Sequence, residues 1–201
     1  MFSEIRSIIK KLPLIKPNSS RLESLNQVVS YIKFKIEEGK KAQLVFICTH
    51  NSRRSQMAQV WAKLIAENYG IEVNVFSGGT EVTEFHPNAV GVFKKLGMKI
   101  EVEKSSNPHY FLSYGKNKEA IELFSKLYND EFNPTSCFAA IMTCSSADSN
   151  CPYIPSAEKR IVLTYEDPKK FDRSEKVQEA YEATAIEIAK EMKYVFEKLK
   201  L

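Results

Sequence analysis

The stretch QLVFICTHNSRRSQMAQVWAKLIAENY, residues 43–69, decides how the rest of the chain is read. It starts as a short apolar run, halts at Cys48, crosses five small polar or basic residues, and resumes at Arg54 with helical spacing that ends at Gly70. The runs 72–76 (EVNVF), 138–143 (FAAIMT) and 160–164 (RIVLT) repeat the strand pattern. Helical patterns lie between and after them: 54–69, 87–96 with Pro87 in its first turn and Gly97 at its end, 118–128, and a long final helix through Leu199 opened by a capping box of Asp172 and Glu175. Strands that alternate with helices predict an α/β fold with a doubly wound parallel sheet, whose ligands sit at the carboxyl ends of the strands. Cys48 ends the first strand, so it stands where such folds bind ligands.

The 201 residues, 43% hydrophobic and 27% charged, suffice for one good core with an appendage. No apolar stretch approaches the length of a membrane span. The start MFSEIRSIIKKLPLIKPNSS carries lysines and a proline where a signal peptide needs an unbroken apolar segment, so a cytoplasmic protein is expected. In a reduced compartment four cysteines point to catalysis, metal or burial before structural disulfides. No Cys-x-x-Cys or paired histidine pattern occurs, and His50, His86 and His109 are isolated, so no metal site is expected. The net charge of +4 is spread along the chain with no basic block, which argues against nucleic acid and agrees with a small anionic substrate.

Residues 1–40 stand outside the alternation and read as an N-terminal helical extension to an α/β domain at 41–201. Ser20 and Glu23 form a capping-box pattern, and Leu25, Val28, Val29, Ile32 and Ile36 make one apolar helical face. That face packs on the domain edge or meets a partner. No candidate functional residue lies in it, so deleting residues 1–38 is expected to leave the site's chemistry intact.

The loop after Cys48 has a chemical reading of its own. Five residues separate Cys48 from Arg54, and successive backbone N–H groups of such a loop, at a helix N-terminus, can form a nest for a tetrahedral oxyanion. Thr49, His50, Asn51, Ser52, Arg53 and Arg54 are the candidate oxyanion-binding residues. The Arg54 guanidinium can fork onto the anion, and the same positive field favours the nucleophilic thiolate of Cys48. Ser55 can donate its hydroxyl to that thiolate, and Asn51 suits the left-handed backbone of a tight loop. The alternative is a buried structural cysteine beside a surface arginine.

In order along the chain, FICTHNSRRSQMAQVWA, SGGTEV, HPNAVGVFKKLGMKI, TCSSADSNCP and YEDPKK resemble the low-molecular-weight protein tyrosine phosphatase superfamily, specifically its thioredoxin-coupled arsenate reductase branch. The resemblance covers about residues 42–201 apart from an insertion around 111–135. It implies a four-stranded parallel sheet, Cys48 as nucleophile, Arg54 as oxyanion binder, Ser55 as thiolate stabiliser, Asp167 as general acid, and Cys144 and Cys151 as redox cysteines. It implies no bound cofactor and a thioredoxin-like external reductant. The residues agree with these roles: Asp167 precedes Pro168 just after the fourth strand, where a proton donor can assist a poor leaving group, although Asp-Pro is also a common turn. Cys144 follows the third strand, and a loop of Ser, Asp and Asn separates it from Cys151, as a mobile resolving thiol requires. Cys137, heading an apolar strand, reads as a small core residue.

Some positions depart from the branch. His50 and Arg53 stand where it usually has glycine and cysteine, and Gln59 stands where it often has an acidic residue linked to a potassium site, so that site is not carried over. Lys169 and Lys170 occupy the place of the tyrosine pair with which the phosphatase branch grips aromatic substrates. The expected function is therefore reduction of arsenate to arsenite through a Cys48, Cys144, Cys151 disulfide cascade. The alternatives are a tyrosine or small-molecule phosphatase acting through a phosphocysteine, and a non-enzymatic oxyanion sensor.

Overall fold

In a computed structural model, described for residues 1–150 and 153–200, the chain runs α1 (Ser3–Lys11), α2 (Ser19–Glu37), β1 (Ala42–Cys48), α3 (Arg54–Asn68), β2 (Val73–Gly79) and α4 (Pro87–Lys95). It continues through β3 (Lys99–Glu103), β4 (His109–Ser113), β5 (Ile121–Leu123), β6 (Phe138–Met142), α5 (Ser145–Asn150), β7 (Ala157–Val162), a 3-10 turn at Pro168–Phe171, and α6 (Val177–Glu197). The main sheet is parallel with order β2-β1-β6-β7. Its first crossover runs to one side of β1 and the next to the other, so the carboxyl end of β1 is the topological switch point. Cys48 is the last residue of that strand.

Alternation along β1 explains the layers. Leu44 and Phe46 enter the larger core with α2, α3, α4 and α6, while Val45, Ile47 and Cys48 face a smaller cluster with Met142, Cys144 and Ala147. Helix α3 is buried nearly all round, with Trp61 at its centre, because the sheet and α6 pack against it. Positive φ at Gly70 and Gly97 closes α3 and α4 where the sequence placed their ends.

Several elements differ from expectation. Residues 118–128 hold strand β5, not a helix: Ile121 and Leu123 alternate into the core and pair with β4 in a three-stranded antiparallel sheet, β3-β4-β5, appended to the domain. The capping box at Asp172 is not made, because its carboxylate binds Tyr181 and Arg53, and α6 begins later at Val177. At the amino end, Asn18 instead of Ser20 caps α2, accepting from the Arg21 N–H at 2.9 Å, and a separate helix α1 precedes it. Cys137 is not a core residue. It is exposed with φ 58°, a left-handed conformation at the entry to β6.

The two N-terminal helices share the domain's core. Ile5, Ile9, Leu25, Val28 and Ile32 are buried in it. The buried Lys193 ammonium of α6 donates to the carbonyls of Ile9, Lys10 and Leu12 at 3.1, 3.2 and 2.5 Å, satisfying the open end of α1. Arg21 makes a two-pronged contact with Glu191 at 2.6 and 2.7 Å, and Lys35 meets Glu158 at 2.7 Å. Deleting residues 1–38 would uncover this core, so loss of the fold is the expected result in place of intact chemistry. A gentler test is Ile5→Ala, at 1% exposure, which is expected to cost about 2–5 kcal/mol in urea denaturation. A change under about 0.5 kcal/mol would show that α1 is only peripherally attached.

Candidate active site

The loop between β1 and α3 is held from behind by its carbonyls. Thr49 C=O accepts from the N–H groups of Thr80 and Glu81, both at 2.8 Å, and Ser52 C=O accepts from the His86 N–H at 2.9 Å. His50 C=O accepts from the Ser125 hydroxyl at 2.8 Å, and Asn51 C=O from the Gln56 amide at 2.5 Å. Four successive carbonyls are thus turned outward. Among the described residues, the N–H groups of residues 50–53 donate to no acceptor of the protein itself. Asn51 takes φ 45°, as a tight loop demands. Gly79 is required behind it, since a Cβ there would lie 2.7 Å from Thr49 O and 2.8 Å from Asn51 N.

Cys48 is 3% exposed, and its sulfur lies 3.1 Å from the Ser55 hydroxyl. Asn51 Nδ2 donates to Ser55 Oγ at 2.9 Å. Arg54 reaches back toward the end of β7: Nη1 donates to Tyr165 C=O at 3.0 Å and Nη2 to Asp167 Oδ2 at 2.5 Å. Among the described residues its Nε is buried without a partner, a donor still open to an acceptor. Asp167 Oδ1 accepts from the Lys169 N–H at 3.0 Å, which fixes the carboxyl at the mouth of the loop. The structure thus places Ser55 against Cys48 and Asp167 against Arg54.

Cys144 is fully buried at the end of β6, with its sulfur 3.4 Å from Thr49 Oγ1 and 3.3 Å from the Ala147 N–H that donates to it. The segment after it is not a loop of Ser, Asp and Asn. It is the short helix α5, tied to β7 by Arg160, which bonds the Asp148 carboxylate and backbone carbonyl. Cys151 lies outside the described residues.

Two candidate oxyanion residues point elsewhere. His50 is partly exposed at the rim, its Nε2 3.2 Å from Glu81 Oε2. Arg53 turns its guanidinium from the loop to α6, donating to the Tyr181 hydroxyl at 2.6 Å and to Asp172 at 2.9 Å, so only its backbone N–H is left for an anion. Burial resists ionisation of Asp172, but Tyr181 and Arg53 outweigh it and hold that carboxyl below its usual range. Burial, then Arg53, pushes the adjacent His86 down, while burial and Asp172 raise Tyr181 to about 12. Sequence reasoning missed these clamps. The signal available for Gly79 was the SGG pair ending β2, the mark of a close backbone approach.

Beneath the loop, the side chain of Lys126 lines a cavity of about 330 Å³ with Gln59, Phe76 and Asn133. Gln59 Oε1 accepts from the Ser77 hydroxyl at 2.6 Å. Lys126 is 4% exposed, its ammonium 4.3 Å from the Phe124 ring, and burial pushes its pKa down to about 8.

Comparison with known proteins places this geometry among relatives. The family profile described as low molecular weight phosphotyrosine protein phosphatase matches residues 43–112. The chain is similar to "Arsenate reductase 2" of Staphylococcus haemolyticus, 32% identical over 128 residues, 64% of this chain and 79% of that protein. It is 34% identical over 131 residues to "Arsenate reductase" of Brevibacillus brevis, covering 65% and 79%. In fold it matches the low molecular weight protein tyrosine phosphatase from T. tengcongensis with a TM-score of 0.56 at 20% identity, over 79% of this chain and 99% of that one.

The buried ammonium gives a prediction with a definite sign. Between pH about 8 and its ordinary value of 10.5, Lys126 binds fewer protons folded than unfolded, so its burial penalty is full below pH 8 and fades as pH rises. Lys126→Met is expected to be more stable than wild type at pH 7, with the difference shrinking toward pH 10.5. Urea midpoints of both proteins across that range check it, and a gap that does not vary with pH would overturn the assignment.

Proposed function

Because the chain belongs to the low-molecular-weight phosphotyrosine protein phosphatase family, on the side of its arsenate reductases, we propose that it reduces arsenate to arsenite by thiol chemistry at Cys48. The observation that carries this reading is the second thiol. Cys144, at the end of the strand next to β1, touches Thr49, the residue following Cys48. Hydrolysis of a phosphocysteine has no use for it.

The residues then take these roles. The oxyanion sits on the N–H groups of Thr49 to Arg54 and accepts from Arg54 Nε and Nη2. Taking Nη2 releases Asp167 from its present bond, and the freed carboxyl, protonated, stands at the mouth of the loop as the acid. Ser55 donates to the Cys48 sulfur and favours its thiolate. Cys48 attacks arsenic, an S–As bond forms, and the departing oxygen leaves as water with the proton from Asp167. Cys144, as thiolate, attacks Cys48 sulfur. The S–As bond breaks with its electron pair moving to arsenic, which leaves as arsenite, and Cys48 and Cys144 are oxidised to a disulfide.

Cys151 then attacks Cys144, frees Cys48, and leaves a Cys144–Cys151 disulfide for a thioredoxin-like dithiol, an exchange suited to the reducing cytoplasm. No helix of the described residues is long and apolar enough to cross a membrane. A phosphatase reading has support too, since Cys48, Arg54 and Asp167 form a complete set for phosphocysteine chemistry.

One preparation assayed on arsenate and on a phosphate ester, with and without thioredoxin, decides between them. Multiple turnover of arsenate is expected only with the dithiol. Cys144→Ser is expected to abolish multiple turnover of arsenate and to spare any ester hydrolysis. A Cys144→Ser variant that reduces arsenate as fast as wild type would remove the cascade, and ester turnover without arsenate turnover would replace the reductase by the phosphatase.

A further inference from the structure

The appended antiparallel sheet reaches the loop through two residues after β5. Ser125, and through its peptide Lys126, is held by Asn107 in the turn between β3 and β4: Asn107 Nδ2 donates to Ser125 C=O at 2.7 Å, and Ser125 N–H donates to Asn107 Oδ1 at 3.2 Å. The side-chain amide does the work of a missing strand partner. Held in this way, Lys126 C=O accepts from the Gly79 N–H at 2.8 Å, and Lys126 N–H donates to Asn51 Oδ1 at 3.0 Å.

The direction of each hydrogen bond follows from that last contact. A backbone N–H can only donate, so the Asn51 amide must turn its oxygen to Lys126 and its nitrogen to Ser55. Ser55 Oγ accepts from Asn51, and among the described residues its single proton has one acceptor within reach, the Cys48 sulfur at 3.1 Å. The sulfur is therefore held as an acceptor, the arrangement that favours thiolate. Ser125 adds a second lock. Its oxygen accepts from the Thr83 N–H at 2.8 Å, so its proton goes to His50 C=O and keeps that carbonyl turned outward.

We propose that Asn107, Ser125 and Lys126 are positioning residues for Cys48: through Asn51 and Ser55 the appended sheet sets the hydrogen-bond direction at the sulfur, and through His50 the orientation of the anion nest. This rests on the reading of Cys48 as the nucleophile. It assigns the appended sheet a part in the chemistry, although none of its residues contacts the sulfur.

The test is the pH profile of Cys48 alkylation by iodoacetamide, mapped by peptide mass spectrometry, with exposed Cys137 as internal reference. Asn107→Ala and Ser125→Ala are expected to move the half-maximal pH for Cys48 upward and to weaken protection by inorganic phosphate about three- to tenfold, the worth of one hydrogen bond. Cys137 should be unaffected. In an Asn51→Ala background, Asn107→Ala should add no further shift in pH, because the relay is already cut. If Ser125→Ala proves unfolded by circular dichroism, Asn107→Ser, at a half-buried position, carries the same measurement. A folded Asn107 variant with the wild-type profile and wild-type phosphate protection would overturn the proposal. Wild-type Cys48 that is no more reactive than Cys137 at mildly acidic pH, and is unprotected by phosphate, would instead overturn the nucleophile reading beneath it.

Discussion

The outward turn of four carbonyls, Thr49 to Ser52, is the constraint on which the rest of this structure depends. A loop whose N–H groups converge on one point must present its oxygens to the other side, and buried oxygens need donors. Here the donors come from the segment after β2, from the entry to α4, from α3 and from the appended sheet. Their convergence demands that β2 end without side chains. Gly79 lets the loop approach, and a Cβ on Gly78 would lie 2.3 Å from Tyr128 Cα, so the segment beyond β5 approaches as closely from the other side.

The same economy of partners governs the clamps around the loop. Arg53 could have stood in the anion site. Held by Tyr181 and Asp172, it links the loop's last residue to α6 and to the turn at Pro168–Phe171, the segment that begins one residue after Asp167. The loop and the carboxyl that faces it are therefore positioned by one polar cluster. The N-terminal helices brace α6 from its far side through Arg21 and Lys193, so a segment with no part in the chemistry still supports the helix that holds Arg53.

How much of this was legible in the sequence depends on the range of each interaction. Local signals worked where local physics decides: the strand to loop to helix path at Cys48, the glycine stops at Gly70 and Gly97, and the left-handed role of Asn51. They failed where a distant partner overrides a local pattern. Residues 121–123 carry a usable helical spacing, but pairing with β4 selects a strand. Asp172 has the spacing of a cap, but Arg53 and Tyr181, far away in the chain, claim its carboxylate. Cys137 looks like a strand residue until its backbone is seen to turn left-handed before β6 begins. The grouping of Cys48, Arg54, Ser55 and Asp167 could be anticipated because all four sit at the same end of parallel strands. The supporting donors could not, because Ser125 and Lys126 lie in an insertion without a motif and Asn107 in the turn between β3 and β4.

The pairing of Arg54 with Asp167 carries a consequence for selection among anions. One prong of the guanidinium fork, Nη2, already holds a carboxylate of the protein while Nε stays open, so an anion that takes both must displace an internal rival. A monoanion such as chloride merely exchanges like for like and gains little. A tetrahedral dianion brings a second charge and enough oxygens to reach both the fork and the converging N–H groups. The ion pair therefore acts as a threshold: competition from the protein's own carboxylate discriminates against small monoanions before the shape of the loop is called upon.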